Sequence, residues 1–271
     1  MKVKILNGTS IYPLQEIGES AGICWKSDIT DKEKNIKRAK NCIKSGHGRV
    51  LEYPTIKFYI YDVSARVIRE WYTHIGGSPT RLQESTRYVD EKNFNYVTPP
   101  SIQKNDEALN TYDNFMNLDK QTYTHLNDLG IPKEDSAMVL PLGMYTGLVD
   151  KRNPRNLIDM AENRMCNRAY WEFRDIMKEI FNQLSNLSDE WKWICENCIK
   201  PKCEKLGYCP ESKGCGKYPK KDELVWGLKK EDILKLADTL EHIQYNCGDN
   251  TTFEKFNLIV NDLEKLGEGH K

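Results

Sequence analysis

Trp71-Tyr72-Thr73-His74-Ile75-Gly76-Gly77-Ser78-Pro79-Thr80-Arg81-Leu82-Gln83-Glu84-Ser85-Thr86-Arg87-Tyr88 is the stretch from which the rest of the chain is read. The Gly76-Gly77 pair permits positive φ and close backbone approach to a ligand. Pro79 rigidifies the exit and biases Ser78 away from helix. The polar segment beyond it offers arginines, hydroxyls and an amide but few apolar side chains. Such a set is poor material for a core and suits an anionic, hydrogen-bonding ligand. A solvated loop carrying a salt bridge or two accounts for the composition equally well, so the surroundings have to decide.

Upstream, Val67, Ile68, Trp71 and Ile75 form a helical stripe that Ser64 can cap. Glu70 and His74, four apart, share the face beside it. Pro54–Val63 alternates, with Ile56, Phe58 and Ile60 on one side and Lys57, Tyr59 and Tyr61 on the other, which predicts a half-buried strand. Val3–Leu6 predicts a short strand. Thr30-Asp31-Lys32-Glu33 reads as a capping box with Thr30 as the N-cap, opening a helix that runs to about Ser45 and stops at Gly46. His47–Tyr53 reads as a turn of mixed polar chemistry.

Downstream, residues 101–128 predict one long amphipathic helix, and Gly130-Ile131-Pro132 ends it and starts a short one. Gly143 and Gly147 argue against a helix in the piece that follows. Pro154–Leu187 is the longest helical pattern. Arg155, Asp159 and Asn163 project from one of its faces, while Trp171, Phe173, Met177 and Ile180 supply its buried side. Beyond Lys220, Leu228–Ile243 and Phe253–Leu266 read as two further amphipathic helices.

The whole chain bounds the possibilities. Its 271 residues suffice for one large domain, or for a domain with an appendage. Lys+Arg and Asp+Glu both number 40, so bulk attraction to nucleic acid is not expected and any anion site must be local. No apolar run has the length of a membrane span, and the start lacks the apolar region of a signal peptide, so the cytoplasm is the expected compartment. Nine cysteines, an odd number without a secretory signal, argue against a disulfide framework. Five of them, Cys195, Cys198, Cys203, Cys209 and Cys215, fall within twenty-one residues of the tail. Cys195-x-x-Cys198 resembles half of a zinc knuckle, but no second such pair follows, so reduced thiols are the favoured reading and no metal site is assigned.

Read together, segments from His47 to Gly216 resemble the flavin-dependent thymidylate synthases, the ThyX family. His47 through Glu52 looks like the family's His-Glu-x-x-x-Glu-His segment before its central strand. Gln83-Glu84-Ser85-Thr86-Arg87-Tyr88 is similar to the end of the family signature. Asn153-Pro154-Arg155, with Arg164, Ala169, Trp171 and Glu172 beyond, fits a third family pattern without a gap. Cys203 through Gly216, reading Cys-x5-Cys-Pro-Glu-x-Lys-x-Cys-Gly, looks like a tail found in some members.

The resemblance implies an α+β fold, an antiparallel sheet packed with long helices over residues 1–220, with 221–271 as a helical C-terminal extension. It implies a homotetramer with shared active sites, FAD as cofactor, NADPH and methylenetetrahydrofolate as co-substrates, and dUMP as the nucleotide converted to dTMP. By position, His47, Arg49, Glu52, His74, Gln83, Asn153, Arg155 and Asp159 would line the flavin site. Glu70, Arg81, Ser85, Thr86, Arg87 and Arg164 would hold the nucleotide, and His74, Ser85 and Arg87 would stand nearest the chemistry. The cofactor would carry the difficult step while amide and guanidinium groups fix the ligands; Ser85 would act as a hydrogen-bond donor and not as a nucleophile.

The chain also departs from the family pattern. Thr73 and Ile75 flank His74 where the family has arginines, and two extra residues fall in the Gly-Gly-Ser-Pro turn. Glu70 stands in place of a glutamine and Ala137 in place of another arginine. Arg81, Arg49 and the Gly76-Gly77 amides are the candidates to replace the lost cations. A FAD-dependent enzyme acting on a different pyrimidine nucleotide, and a non-catalytic nucleotide-binding relative, are the alternative readings.

Overall fold

Ile56, Phe58 and Ile60 are fully buried, and the strand they define is one of two inner strands of the main sheet. The computed structural model describes residues 1–76, 79–225, 228–229 and 231–236. They fall into two units, Met1–Met165 with Ala169–Lys200, and Cys166–Arg168 with Pro201–Lys271. The first unit runs β1 (Lys2–Ile5), α1 (Pro13–Cys24), α2 (Lys32–Lys44), a 3-10 turn (Gly48–Glu52), β2 (Ile56–Ser64), α3 (Ala65–Trp71) and β3 (Thr80–Gln83). It continues with α4 (Pro100–Gln103), α5 (Asp106–Asp128), α6 (Lys133–Ser136), β4 (Tyr145–Arg152), α7 (Pro154–Arg164), α8 (Trp171–Leu187) and α9 (Asp189–Cys198). The second unit holds α10 (Lys202–Leu206) and an antiparallel pair, β5 (Leu224–Val225) and β6 (Leu228–Lys229).

The four-stranded sheet has the order β1-β2-β4-β3 and is antiparallel throughout, so the chain is α+β as expected. Its core face meets α8, whose Phe173, Ile176, Met177, Ile180, Phe181 and Leu184 are all buried at helical spacing. Burying each such side chain stabilises the fold by about 1.5–3 kcal/mol. Trp71 stacks on Phe173 with ring centroids 4.9 Å apart and meets Phe58 edge-on at 6.0 Å. Gly147 on β4 has a packing reason: a Cβ there would fall 2.5 Å from Glu84 Oε1, blocking the 2.8 Å hydrogen bond that Tyr59 donates to Glu84.

Several local expectations are met and several are corrected. Ser64 caps α3, its hydroxyl accepting from the Val67 amide at 3.1 Å. Behind it the fully buried Glu172 accepts from both the Ser64 amide and the Ser64 hydroxyl, which ties the start of α3 to α8. The N-cap of α2 is Asp31, not Thr30; the Thr30 hydroxyl is taken by Asp28 at 2.7 Å, a stronger charge-assisted acceptor. The single helix expected over 101–128 is two, because Asn105 caps α5 afresh. Pro154–Leu187 is also two helices, α7 and α8, separated by residues 165–170. Helix α1, entered through Pro13, and strands β3 and β4 were not foreseen. Of the Leu228–Ile243 reading, Leu228–Lys229 form a strand and 231–236 a helical stretch; the remainder lies with Phe253–Leu266 outside the described residues. Among the described residues no helix is long and apolar enough to cross a membrane.

An ion pair lies inside this core. Asp150 and Arg152, two apart on the inward face of β4, both have fully buried side chains and pair directly. Trp71 Nε1 also donates to Asp150, and Arg152 Nη1 donates to Asn156. Replacing Asp150 by Asn strands the buried guanidinium and is expected to cost about 3–5 kcal/mol. The double replacement Asp150→Leu with Arg152→Met should recover most of that loss, and urea unfolding midpoints of the three proteins measure both.

Candidate active site

Helix α3 ends at Trp71, and the chain turns so that the His74 amide donates back to the Trp71 carbonyl at 3.2 Å. This carries the His74 ring edge-on against Phe173, centroids 5.7 Å apart. Arg164, in the last turn of α7, reaches the same place. Its Nε donates to His74 Nε2 at 2.9 Å, its Nη1 to Glu70 Oε2 at 3.0 Å, and its cation lies 4.8 Å from the Phe173 ring centroid. Arg66 approaches the other Glu70 oxygen at 3.7 Å. Since His74 Nε2 accepts, the imidazole proton is assigned to Nδ1. Burial, followed by the charges of Arg164, Arg152 and Arg81, pushes His74 down to about 4. His74 is therefore a neutral ring at neutral pH, able to donate through Nδ1 but not to act as a cation.

A second group forms where the 3-10 turn meets α7. Arg155 Nη1 donates to Glu52, with both side chains part-exposed. Asn153 is the N-cap of α7, its Oδ1 accepting from the Asn156 amide at 2.9 Å. His47, Arg49 and Asp159 are exposed, with Asp159 one helical turn beyond Arg155.

The third group follows β3. Gln83 Nε2 is 3.4 Å from Thr146 Oγ1. Ser85 Oγ accepts from the Arg87 amide at 3.4 Å, the geometry of a turn and not of a nucleophile paired with a base. Arg87 Nε meets Glu134 Oε2 at 2.6 Å, and Thr86 is part-buried beside it. Arg81 turns back on the opening stretch. It donates to the Tyr72 carbonyl at 3.0 Å and lies 4.5 Å from the Tyr72 ring centroid. Ala137 begins a 3-10 turn and brings no cation to the site, and Gly77 lies outside the described residues.

Sequence reasoning passed over the side chains that support these groups. Asn156 Nδ2 donates to the Gly76 carbonyl while its Oδ1 accepts from Arg152, so the buried ion pair reaches the turn after His74 through one amide. The available signal was the pair of opposite charges at alternate positions of a segment flanked by apolar residues. Phe173 was seen only as core, and Glu134 offered no signal.

The sequence profile of the thymidylate synthase complementing protein family matches residues 9–188. The chain belongs to this family. Curated relatives named flavin-dependent thymidylate synthase include one from Nitratidesulfovibrio vulgaris (strain Hildenborough), 30% identical over 206 residues, covering 70% of this chain and 79% of the relative. Another, from Thermococcus onnurineus (strain NA1), is 28% identical over 232 residues, covering 80% of this chain and 94% of the relative. Among solved structures, the flavin-dependent thymidylate synthase ThyX of Helicobacter pylori, crystallised with FAD and dUMP, superposes with a TM-score of 0.58 at 21% identity. That match covers 74% of this chain and all of the other, and it supports the fold. In this member of the thymidylate synthase complementing protein family a carboxylate, Glu70, is in contact with Arg164.

The His74 environment sets a pH dependence. Its folded pKa lies below the unfolded value of 6.5, so between about pH 6.5 and 4 the unfolded chain binds more protons and stability falls as pH is lowered. With allowance for its partial exposure, the loss from pH 7.5 to pH 5 should be about 1 kcal/mol. His74→Gln should remove this part of the slope in urea unfolding at the two pH values.

Proposed function

We propose that the chain converts dUMP to dTMP, with methylenetetrahydrofolate as the one-carbon donor, NADPH as the reductant and FAD as the cofactor. The observation that carries this reading, beyond family membership, is Arg164 held between His74 and Glu70 on the aromatic floor of Phe173. When bound, FAD supplies the two-electron hydride chemistry that lets a transferred methylene end as a methyl group.

The donor set fits such a cofactor. Arg49, Arg155 and His47 present cationic or hydrogen-bonding groups on one exposed face, suited to phosphates, with Glu52, Asn153 and Asp159 beside them. His74 and Gln83 contribute neutral donors suited to a heteroaromatic ring edge. For the nucleotide, Arg87 is the phosphate partner, released from its exposed pair with Glu134, and Ser85 and Thr86 add hydroxyl donors. Glu70 and Arg164 place an acceptor and a donor side by side, the pattern needed to fix an amide-like base edge. Arg81 acts by holding the Tyr72 end of the stretch in place. The balance is that dUMP, methylenetetrahydrofolate, NADPH and a proton give dTMP, tetrahydrofolate and NADP+, and no enzyme nucleophile is required.

Residues 1–220, which hold every one of these side chains, form the catalytic portion, with 221–271 as an extension. The working enzyme is a homotetramer that shares its active sites. Its support is that Ile75, Leu82 and Tyr88, the neighbours of His74, Gln83 and Arg87, are 71%, 73% and 81% exposed in the single chain. Large apolar side chains bared next to polar site residues are what a second copy covers.

Purified protein should carry FAD and form dTMP when given NADPH, methylenetetrahydrofolate and dUMP. Bound FAD without dTMP would refute the reaction. Arg164→Ala should lower kcat/KM for dUMP about 10–100-fold, the cost of one charge-assisted contact.

A further inference from the structure

The cysteines divide between the two units in a way their order along the chain conceals. Cys195 and Cys198 lie on α9. Cys198 is part of the main core, and the Cys195 thiol donates to the Phe181 carbonyl at 3.8 Å. They are core thiols of the first unit. Among its described residues the second unit gathers four others: Cys203, Cys209 and Cys215, spaced six apart, and Cys166, which joins it from far upstream. The short segment Cys166–Arg168 belongs to this unit although the residues on both sides of it belong to the first.

The described residues of the second unit offer little else to hold it. Among its described residues only Cys209 and Ile233 are buried and apolar. Its helix α10 has five residues and most of residues 207–220 is irregular. So small a core among the described residues calls for a covalent or metal staple, and the four described thiols are all free.

The polar contacts fold this segment around its sulfurs. Arg168 Nη1 donates to the Lys213 carbonyl at 2.7 Å and meets Glu211 at 3.1 Å. Lys220 Nζ donates to the Ser212 and Glu211 carbonyls. The loop between Cys209 and Cys215 is thus gripped from two sides. Within it, a Cβ on Gly214 would stand 3.2 Å from Cys209 Sγ, so the loop folds back closely on that sulfur. Asn167 Nδ2 lies 3.7 Å from Cys215 Sγ, which brings the Cys166 segment to the last of the three. Cys203, part-buried, lies in the first turn of α10 in the same unit.

We propose that Cys166, Cys203, Cys209 and Cys215 form a four-thiolate metal centre, holding zinc or an iron–sulfur cluster, that staples the C-terminal unit. Four thiolates are the ligand set of structural zinc and of iron–sulfur clusters alike, and hard cations prefer oxygen. Among the described residues, no three His, Cys, Asp or Glu side chains already meet at a point one ion could occupy. Metal binding therefore draws the sulfurs inward from the positions they hold here, in keeping with sites whose binding energy is also folding energy.

The test is elemental analysis of full-length protein prepared anaerobically with reductant and without a metal-affinity tag. Either about one zinc per chain, or iron with matching acid-labile sulfide, supports the centre and identifies it. Cys203→Ser and Cys209→Ser should each lose the metal, while the Cys195→Ser, Cys198→Ser double variant should retain it. If the single variants do not fold, the wild-type protein still decides: mercurial titration should release the metal in step with the protected thiols. Metal-free protein with every thiol titrating freely, a disulfide among the four by mass spectrometry, or metal lost from the Cys195/Cys198 double variant would each overturn the proposal.

Discussion

A carboxylate and a guanidinium buried two residues apart on one strand govern how the first unit is put together. With no water to serve them, the donors of Arg152 must be met by protein, and they are met by Asp150 and Asn156. Each partner has a second obligation. Asp150 takes the Trp71 indole at the end of α3, and Asn156 holds the Gly76 carbonyl just past His74. A hydrophobic pair of equal volume could pack as well, but it would not fix these polar groups. The ion pair thus sets where the opening stretch leaves the core, and the cluster of Glu70, His74 and Arg164 is built on that exit.

Net neutrality of the chain is repeated at the scale of the site. Arg155 faces Glu52, Arg164 faces Glu70 and Arg87 faces Glu134. An anionic ligand therefore competes with an internal carboxylate at each guanidinium. The exposed pairs, Arg87 with Glu134 and Arg155 with Glu52, are cheap to open, since such pairs contribute about 0–1 kcal/mol. The Arg164 pair is only about a quarter exposed on either side and is braced by His74 and Phe173. That gradient leaves the outer two cations free to exchange partners and makes Arg164 the most fixed of the three.

Much of this was legible from residue order. Strict alternation at Ile56–Tyr61 and a hydroxyl at Ser64 specify a strand running into a capped helix, because both signals are local. Glu70, His74 and Arg164 were named as site residues, but their mutual contact was not readable, since α7 reaches His74 only through the tertiary fold. Asp150 and Arg152 defeated the hydrophobic pattern that would have revealed β4, because two charges occupy its inward positions. The break between α7 and α8 was hidden by polar residues compatible with helix. Thr30 lost the cap of α2 to Asp31 because an acidic neighbour, Asp28, offered its hydroxyl a better partner.

The irregularity in β2 has a consequence for how this chain tolerates change in length. Between Ile60 and Val63 the register against β4 gains one residue, with Asp62 in the left-handed region at φ 55° and paired to Lys2. That extra residue reverses the in–out parity of the strand just before Ser64. Val63, at an odd position where Ile56, Phe58 and Ile60 are at even ones, faces the core because of it, one residue before the hydroxyl that Glu172 holds. Deleting Asp62 would leave Ile60 opposite Leu148 and Val63 opposite Thr146 in a regular ladder, so the strand can lose this residue without turning the entrance of α3 outward. The entrance of α3 therefore tolerates the loss of one residue in a kind of element where a slip of one residue ordinarily moves every side chain to the other face.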